Sequence, residues 1–232
     1  MLKLNSIYQG DCRELISLMP DGYNYVVITD PPYNINFKYD EHKDNLNDFD
    51  YIGLINSFED FNSIFIQYPE ETMKYIIPAL GVPDEVIAWC YNSNLPKQFR
   101  LCNIYGLKVD FNAIKQPYKN PNDKRIKKLI ENGSQGTRMY DWFSDIQIVK
   151  NVSKEKTSHP CPVPVKLIER LILMCTKETD VIIDPFMGSG TTAIACINAG
   201  RNYIGIEKSQ KYVELANKRI EEHLLNKNTK IA

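Results

Sequence analysis

The sequence predicts an α/β fold in which helices cover both faces of a doubly wound, mostly parallel sheet. Two observations predict it. Short apolar runs typical of buried strands alternate along the 232 residues with segments whose apolar residues repeat at helical spacing. Two of these runs end directly in loops rich in polar residues, and ligands of such sheets bind at the carboxyl ends of the strands. With 43% hydrophobic residues, the chain can bury one sizeable core, so we expect a single domain over 1–232.

The expected elements follow from these patterns in chain order. Strands are predicted near 4–8, 24–29, 85–90, 107–114, 144–149, 180–184 and 202–206. Helices are predicted near 12–19, 69–80, 95–104, 124–132, 164–176, 191–199 and 209–226. The last helix is the clearest, because Tyr212, Leu215, Ala216, Ile220 and Leu224 fall on one helical face. Short strands alternating with helices give a sheet that is mostly parallel.

The loop Asp30-Pro31-Pro32-Tyr33 directly follows the apolar run 25–29. Proline fixes φ and donates no hydrogen bond, so this loop is stiff and its carbonyls are free to accept. A carboxylate, free carbonyls and an aromatic ring suit a planar heterocycle that carries an amino group. The alternative is a strand end capped by a turn, where Asp-Pro is common.

A glycine-rich loop follows the apolar run 181–183 and reads Asp184-Pro185-Phe186-Met187-Gly188-Ser189-Gly190-Thr191-Thr192. Glycines allow a tight turn and close approach of a ligand, and an acidic residue about 20 positions later can bind ribose hydroxyls. Glu207 stands at that place, at the end of another apolar run. The glycine pair is shorter than a dinucleotide fingerprint, which favours a ligand with an adenosine, a sulfonium and an amino acid but no phosphate.

Together the segments resemble the amino-group DNA methyltransferases that use S-adenosylmethionine, in the group whose catalytic loop precedes the cofactor loop. Five segments in the expected order carry the resemblance: Gly10-Asp11-Cys12, Asp30 to Asn34, His159-Pro160 with Pro164 and Lys166, Asp184 to Thr192, and Gly205-Ile206-Glu207. The resemblance implies a Rossmann-like sheet in circularly permuted methyltransferase order, with a small target-recognition insertion. It also implies that the strands before the two loops are neighbours.

The resemblance further implies the roles of the site residues. The catalytic residues are Asp30, Pro31, Pro32 and Tyr33. S-adenosylmethionine is the cofactor, and the residues expected to bind it are Asp11, Cys12, Asp30, His159, Pro160, Lys166, Asp184, Phe186, Gly188, Ser189, Gly190, Thr191, Thr192 and Glu207. Among them Asp11 contacts the adenine and Glu207 the ribose hydroxyls. Methyl transfer is direct, with Asp30 and the Pro31 carbonyl accepting the two N–H groups of a flipped-out base while Tyr33 stacks on it.

The expected substrate is adenine N6 in duplex DNA, methylated at specific sites. The loop begins with Asp, whereas the cytosine-N4 enzymes of this family more often carry Ser there. Cytosine N4 is the alternative, and a catalytically silent DNA-binding regulator on the same scaffold is the alternative from another class. A nicotinamide dehydrogenase would leave the 30–33 loop unexplained.

Charge is distributed unevenly along the chain. The net charge of −1 excludes a wholly basic nucleic-acid binder, so any DNA surface is local. We predict a DNA target-recognition segment at 115–141, whose basic residues are Lys115, Lys119, Lys124, Arg125, Lys127, Lys128 and Arg138. The alternative is a solvated helix with a basic face. The acidic segment 40–50 is expected to be a solvated loop or a lid.

The remaining expectations concern chemistry and partners. Six cysteines without a C-x-x-C pair predict reduced thiols, and three histidines without ligand spacing predict no metal site. The chain shows no membrane-span pattern and no signal peptide, so a cytoplasmic protein is expected. Duplex DNA is the expected partner. A cognate restriction endonuclease and a homodimer are further partners that the sequence leaves open.

Overall fold

The computed structural model describes residues 1–39, 42–94, 96–149, 153 and 155–229. The strands are β1 (Ser6–Gln9), β2 (Tyr25–Thr29), β3 (Lys38–Tyr39), β4 (His42–Lys43), β5 (Asn62–Gln67), β6 (Glu85–Cys90), β7 (Phe99–Tyr105), β8 (Lys115–Gln116), β9 (Thr137–Arg138), β10 (Trp142–Phe143), β11 (Val181–Asp184) and β12 (Asn202–Glu207). The helices are α1 (Cys12–Leu15), α2 (Asp48–Asn56), α3 (Pro69–Glu71), α4 (Ile77–Leu80), α5 (Lys124–Glu131), α6 (Val165–Cys175), α7 (Thr191–Ala199) and α8 (Gln210–Thr229). A 3₁₀ turn at Ile16–Leu18 follows α1, and a π-helical turn at Thr72–Ile76 joins α3 to α4.

Eight strands form the central sheet, in the order β1-β12-β11-β2-β5-β7-β6-β10. Strand β7 runs antiparallel to both of its neighbours, and the other neighbouring pairs are parallel. Strands β2 and β11 pair directly, with Val27 opposite Ile183. The two loops singled out in the sequence therefore leave the same edge of the sheet from adjacent strands. This confirms the mostly parallel, doubly wound sheet and the expectation that the strands before the two loops are neighbours.

Helices cover both faces of the sheet, because alternate strand residues point to opposite sides. In β2, Val26 and Ile28 pack into one apolar layer with α6 and α7. Val27 between them packs into the opposite layer with α2 and the turn Thr72–Ile76. All three β2 side chains are fully buried, as expected for a parallel strand covered on both faces.

Several predicted elements are wrong. The segment 95–104, expected to be helical, overlaps β7 from residue 99 onward, while Leu95 lies outside the described residues. Strand β5 was not anticipated, and neither 107–114 nor 144–149 forms a strand; the edge strand β10 lies at Trp142–Phe143 instead. Periodicity fails in β7 because consecutive residues such as Cys102 and Asn103 are both fully buried, so no amphipathic repeat marks the strand.

Within the described part of the chain, none of the helices has both the length and the apolar character required to cross a membrane. The six cysteines are unpaired, in agreement with the reduced thiols expected from the sequence.

Candidate active site

A cavity of about 370 Å³ opens at the carboxyl ends of β2 and β11. The predicted site residues that line it are Asp11, Cys12, Asp30, Pro31, Pro32, Tyr33, His159, Phe186, Gly188 and Glu207. A smaller cavity of about 50 Å³ shares Asp30, His159, Phe186 and Gly188, and adds Asp184, Ser189, Thr191 and Thr192. The fold thus brings the 30–33 loop and the glycine-rich loop to one place, although 150 residues separate them in the chain.

Donors from the loop itself and from β5 and β7 hold the 30–33 loop. Tyr33 Oη donates to Asp30 Oδ1 at 2.8 Å, and Arg100 Nη1 donates to Asp30 Oδ2 at 3.2 Å. Gln67 Nε2, at the end of β5, donates to the Pro31 carbonyl at 2.9 Å. Both predicted acceptors for an incoming amine therefore already accept a hydrogen bond from the protein. Each oxygen has a second lone pair, so these hydrogen bonds orient the Asp30 carboxylate and the Pro31 carbonyl and leave each able to accept another hydrogen bond.

The Pro32 carbonyl is held in the same way. It accepts a hydrogen bond from the Tyr51 hydroxyl, and Tyr51 comes from α2 in the layer beneath the loop. The Tyr33 ring meets the Tyr68 ring edge to face at a centroid distance of 5.2 Å. This arrangement leaves a ring at the cavity wall that is already oriented by its neighbours.

Burial raises the pKa of the Asp30 carboxyl, while the Arg100 guanidinium and the Tyr33 hydroxyl act in the opposite direction. The same burial, together with the Asp30 charge, raises the pKa of Tyr33 well above its usual value. Tyr33 therefore stays a neutral hydrogen-bond donor, and Asp30 is the acceptor of the pair.

Asp184 ties the second loop to the sheet. It is 5% exposed, and it accepts hydrogen bonds from Thr29 Oγ1 at 2.7 Å, Thr192 Oγ1 at 2.5 Å and the Phe186 backbone at 3.1 Å. These donors come from β2, α7 and the loop itself. Burial nevertheless raises the pKa of Asp184 to about 6. Its carboxylate fixes the loop between the two strands rather than facing the larger cavity.

Gly188 needs the freedom of a glycine. Its φ of +52° is left-handed, and a Cβ there would lie 3.0 Å from His159 Nε2. Its backbone N–H donates to Glu207 Oε2 at 2.8 Å, while Glu207 Oε1 accepts from the Ser209 backbone at 2.9 Å. Glu207 is thereby oriented at the cavity wall with one lone pair of each oxygen still available.

Arg219 of α8 clamps the glycine-rich loop from behind. Its Nη1 donates to the Ser189 carbonyl at 3.1 Å, to Ser189 Oγ at 3.2 Å and to Thr191 Oγ1 at 3.1 Å. Gly190 caps α7 in the left-handed region with φ +80°, and a Cβ there would lie 3.0 Å from Ala216 Cβ. Gly190 lines neither cavity, and its lack of a side chain instead allows α7 and α8 to pack closely.

His159 lines both cavities. Its ring meets the Tyr212 ring edge to face at 4.7 Å, and burial lowers its pKa to about 4. The imidazole is therefore neutral at pH 7. Its Nδ1 is buried with no hydrogen-bond partner among the described residues, as expected of an atom whose partner is a ligand.

Besides Gly190, two more residues expected at the cofactor line neither cavity. Lys166 lines neither cavity; it donates to Asp145 Oδ2 at 2.8 Å, where Arg170 also binds in a bidentate pair. Together these cations hold the pKa of Asp145 well below its usual range. Pro160 also lines neither cavity. Asp11 does line the larger one, but it caps α1 and pairs with Arg13 at 2.7 Å as well.

The acidic segment 40–50 is not simply a solvated loop. Asp40 and Glu41 lie outside the described residues, but Asp44 is buried, lines the cavity and accepts a hydrogen bond from the Phe37 backbone. Asn34 Nδ2 donates to the Leu46 carbonyl at 2.8 Å. The described part of the segment therefore contributes to a wall of the cavity. A wholly solvated loop is excluded by the burial of Asp44, whereas a lid stays a prediction.

The predicted DNA segment leads directly into β10, the edge strand of the sheet. Strands β8 and β9 pair with Lys115 opposite Arg138, and α5 follows Asp123, whose side chain caps it. Lys119 Nζ lies 4.9 Å from the centre of the Trp142 ring. All seven basic residues expected to contact DNA are exposed: Lys115, Lys119, Lys124, Arg125, Lys127, Lys128 and Arg138.

Sequence reasoning missed four residues that shape the site: Thr29, Gln67, Arg100 and Arg219. Arg100 was missed because the segment 95–104 was predicted to be a helix, whereas Arg100 lies on β7. Gln67 ends the apolar run 64–66 as Thr29 ends the run 25–28, so a polar residue closing a buried strand was a usable signal for both. Arg219 lies on the predicted C-terminal helix, and no local pattern marks its contacts.

Comparison with known proteins identifies relatives of this site. A family model described as DNA methylase, covering N6 and N4 enzymes, matches residues 25–218. The Type II methyltransferase M.ScaI of Streptomyces caespitosus is 29% identical, with 93% of this chain and 81% of the relative aligned. M.HinfI of Haemophilus influenzae, also a Type II methyltransferase, is 27% identical over 97% of this chain and 70% of the relative. The crystal structure of the M1.HpyAVI–SAM complex superposes with a TM-score of 0.60 at 26% identity, over 93% of this chain and 98% of that one.

Proposed function

The chain belongs to the DNA methylase family that its residues 25–218 match, and from this premise we propose that it methylates adenine N6 at specific sites of duplex DNA. Members of this family transfer a methyl group from S-adenosylmethionine to an amino group of DNA. The choice of adenine and the assignment of individual residues are the proposal.

The observation that carries the proposal is the Asp30 carboxylate at the cavity wall, beside the Pro31 carbonyl. An exocyclic amine has two N–H groups, and these two oxygens are suitable acceptors for them. The amine of adenine is a poor nucleophile because its lone pair is delocalised into the ring. Accepting both protons favours a pyramidal nitrogen with a directed lone pair, which is orientational and electrostatic catalysis. An Asp at the first position of the loop supports adenine over cytosine.

The surrounding residues have supporting roles in this proposal. Tyr33 stacks on the flipped base and replaces part of the stacking lost in the duplex. Asp30 does not need to be a strong base, because the nitrogen becomes more acidic as the new bond forms and its proton can leave late. Gln67 and Tyr51 keep the loop carbonyls aimed at the cavity.

The cavity suits S-adenosylmethionine on three grounds. Glu207 presents a held carboxylate suited to ribose hydroxyls, and the Nδ1 of neutral His159, which has no partner among the described residues, can bind a polar ligand atom. Gly188 orients Glu207 through its N–H, and its left-handed backbone packs so closely on His159 that a Cβ would crowd the ring. Asp11 and Phe186 line the same space. When bound there, the cofactor supplies an electrophilic methyl group on its sulfonium.

We assign DNA contact to the segment 115–141. Its seven exposed cations can neutralise phosphates and release counterions, which gives binding that weakens with salt. A cognate restriction endonuclease and a homodimer stay predictions.

The test is incubation of the purified protein with labelled S-adenosylmethionine and unmethylated duplex DNA, followed by nucleoside analysis. We expect labelled N6-methyladenine. Labelled N4-methylcytosine would overturn the choice of base and keep the reaction.

Asp30→Asn is the matched negative variant, and Asp60→Asn is its control, because Asp60 is exposed and lines neither cavity. We expect Asp30→Asn to lose transfer and Asp60→Asn to keep it. Equal transfer by all three proteins would remove Asp30 from the mechanism.

A further inference from the structure

Arg100 forms a shielded ion pair with the catalytic carboxylate. Its Nη1 lies 3.2 Å from Asp30 Oδ2, and the two side chains are only 13% and 15% exposed. Ion pairs at a protein surface contribute little, because water and salt screen them. This pair lies in the cavity wall, and because both side chains are largely buried the screening is weak and the guanidinium acts strongly on Asp30.

Four aromatic rings fix the guanidinium in place. Arg100 Cζ lies 5.0 Å from the centre of the Tyr68 ring, 5.3 Å from Trp89 and 5.4 Å from Tyr33, with Tyr91 at 6.0 Å. Trp89 on β6 is also the register partner of Arg100 on β7. A guanidinium held over aromatic faces loses less freedom when it binds a carboxylate. The pKa of Arg100 is raised well above its usual value, so it is a permanent cation.

We propose that Arg100 is a positioning residue of the catalytic loop: it holds the Asp30 carboxylate in one orientation and in its charged form, ready to accept a proton of the target amine. The inference rests on the proposed function, because it gives Arg100 a part in that same reaction. Arg100 acts through Asp30 and is not assigned a contact with the DNA base.

The geometry shows how one orientation is held. Tyr33 occupies a lone pair of Oδ1 and Arg100 occupies a lone pair of Oδ2. Anchoring both oxygens prevents the carboxylate from rotating, while each oxygen keeps a free lone pair. A protonated Asp30 keeps a carbonyl acceptor, but it loses its negative charge and gains an O–H that competes for the space of the amine. The charged form is therefore the stronger acceptor for the target proton.

The groups acting on Asp30 come from every element packed around it. Among the described residues, the cation whose charge acts on Asp30 is Arg100. The other titratable groups in electrostatic reach are Tyr33, Tyr39, Tyr51, Cys102, Cys161 and Asp184. The tyrosines and cysteines stay neutral at pH 7, and Asp184 adds negative charge as it ionises near pH 6. Removing Arg100 therefore leaves Asp30 buried without its cation.

The first experiment follows Asp30 in the protein without ligands. Infrared titration of the carboxyl band, taken as the difference from Asp30→Asn, reports its ionisation directly. We expect Arg100→Met to raise the midpoint by about one to three pH units, the usual effect of a close opposite charge, and Arg100→Lys to restore at least half of that change. Lys108→Met is the matched control, because Lys108 is exposed just beyond β7 and its loss leaves the ion pair intact.

The second experiment measures methyl transfer against pH at saturating DNA and cofactor. We expect the acidic limb of kcat to move upward in Arg100→Met by the same amount as the infrared midpoint, and S-adenosylmethionine binding to stay within about threefold. A merely structural role would lower kcat at all pH values without moving the limb. Arg100→Gln keeps a donor but no charge and replaces the Met variant if that protein fails to fold.

An unchanged Asp30 midpoint in folded Arg100→Met or Arg100→Gln would overturn the inference. Absence of methyl transfer in the unaltered protein would overturn the proposed function instead, while the infrared titration would still decide what Arg100 does to Asp30.

Discussion

Asp184→Asn is expected to stabilise the protein without its cofactor at neutral and alkaline pH. Burial raises the pKa of Asp184 from 3.8 to about 6, in spite of three hydrogen bonds to its carboxylate. Between these two values the folded protein binds more protons than the unfolded chain. The free energy of unfolding therefore falls as the pH rises through about 6 and stays lower above it. Asparagine is neutral at every pH and of nearly the same shape, so it removes this loss.

The magnitude follows from the difference between the two pKa values. Two pH units at about 1.4 kcal/mol each give a gain of about 3 kcal/mol at pH 8, and the linkage relation gives roughly half of that at pH 5. Urea unfolding of Asp184→Asn and of the unaltered protein at both pH values measures the gain as the difference between the two proteins.

His159 provides an internal check of the opposite sign. Its pKa is lowered from 6.5 to about 4, so the unfolded chain binds more protons between these values and the unfolding free energy rises with pH there. His159→Gln should remove that rise. In the unaltered protein, the fall in unfolding free energy with pH that comes from Asp184 and the rise that comes from His159 partly offset each other. Each variant is therefore compared with the unaltered protein at the same pH. If Asp184→Asn were less stable than the unaltered protein at pH 8, the three hydrogen bonds would outweigh burial and the reasoning would be refuted.

The other expected outcomes concern the site and the DNA surface. Asp30→Ala should abolish methyl transfer while S-adenosylmethionine affinity, measured by calorimetry, stays within about tenfold; loss of binding would make Asp30 chiefly a cofactor ligand. Arg219→Met should weaken cofactor binding by about tenfold, because it frees the loop carbonyl and hydroxyls that the guanidinium holds, and unchanged affinity would exclude this clamp. Gly190→Ala should cost about 1 to 3 kcal/mol in urea unfolding, because a side chain there meets α8 and strains φ. Replacing Lys127 and Lys128 by Gln should lower the slope of log DNA affinity against log salt by about two, whereas Gln at Lys218 on α8, at the other edge of the sheet, should leave it unchanged.

Much of the site could be predicted from the sequence because its signals are local. A buried strand followed by Asp30-Pro31-Pro32-Tyr33, and another followed by Asp184 and the glycine pair, are each complete within a dozen residues. Strand, loop and helix propensities act over the same short range. The doubly wound sheet and the family could therefore be inferred before any coordinate was known.

The tertiary structure alone decided which side chains reach those loops. Gln67 and Arg100 lie on strands that come near the loop only once the sheet is assembled. Strand β5 pairs with β2 and β7 pairs with β5, although neither directly follows β2 in the chain. The ionisation of Asp30 and Asp184 likewise depends on burial and on partners up to 155 residues away. Sequence determined the chemical groups of this protein, whereas long-range packing determined their orientation and charge, because both depend on contacts between segments far apart in the chain.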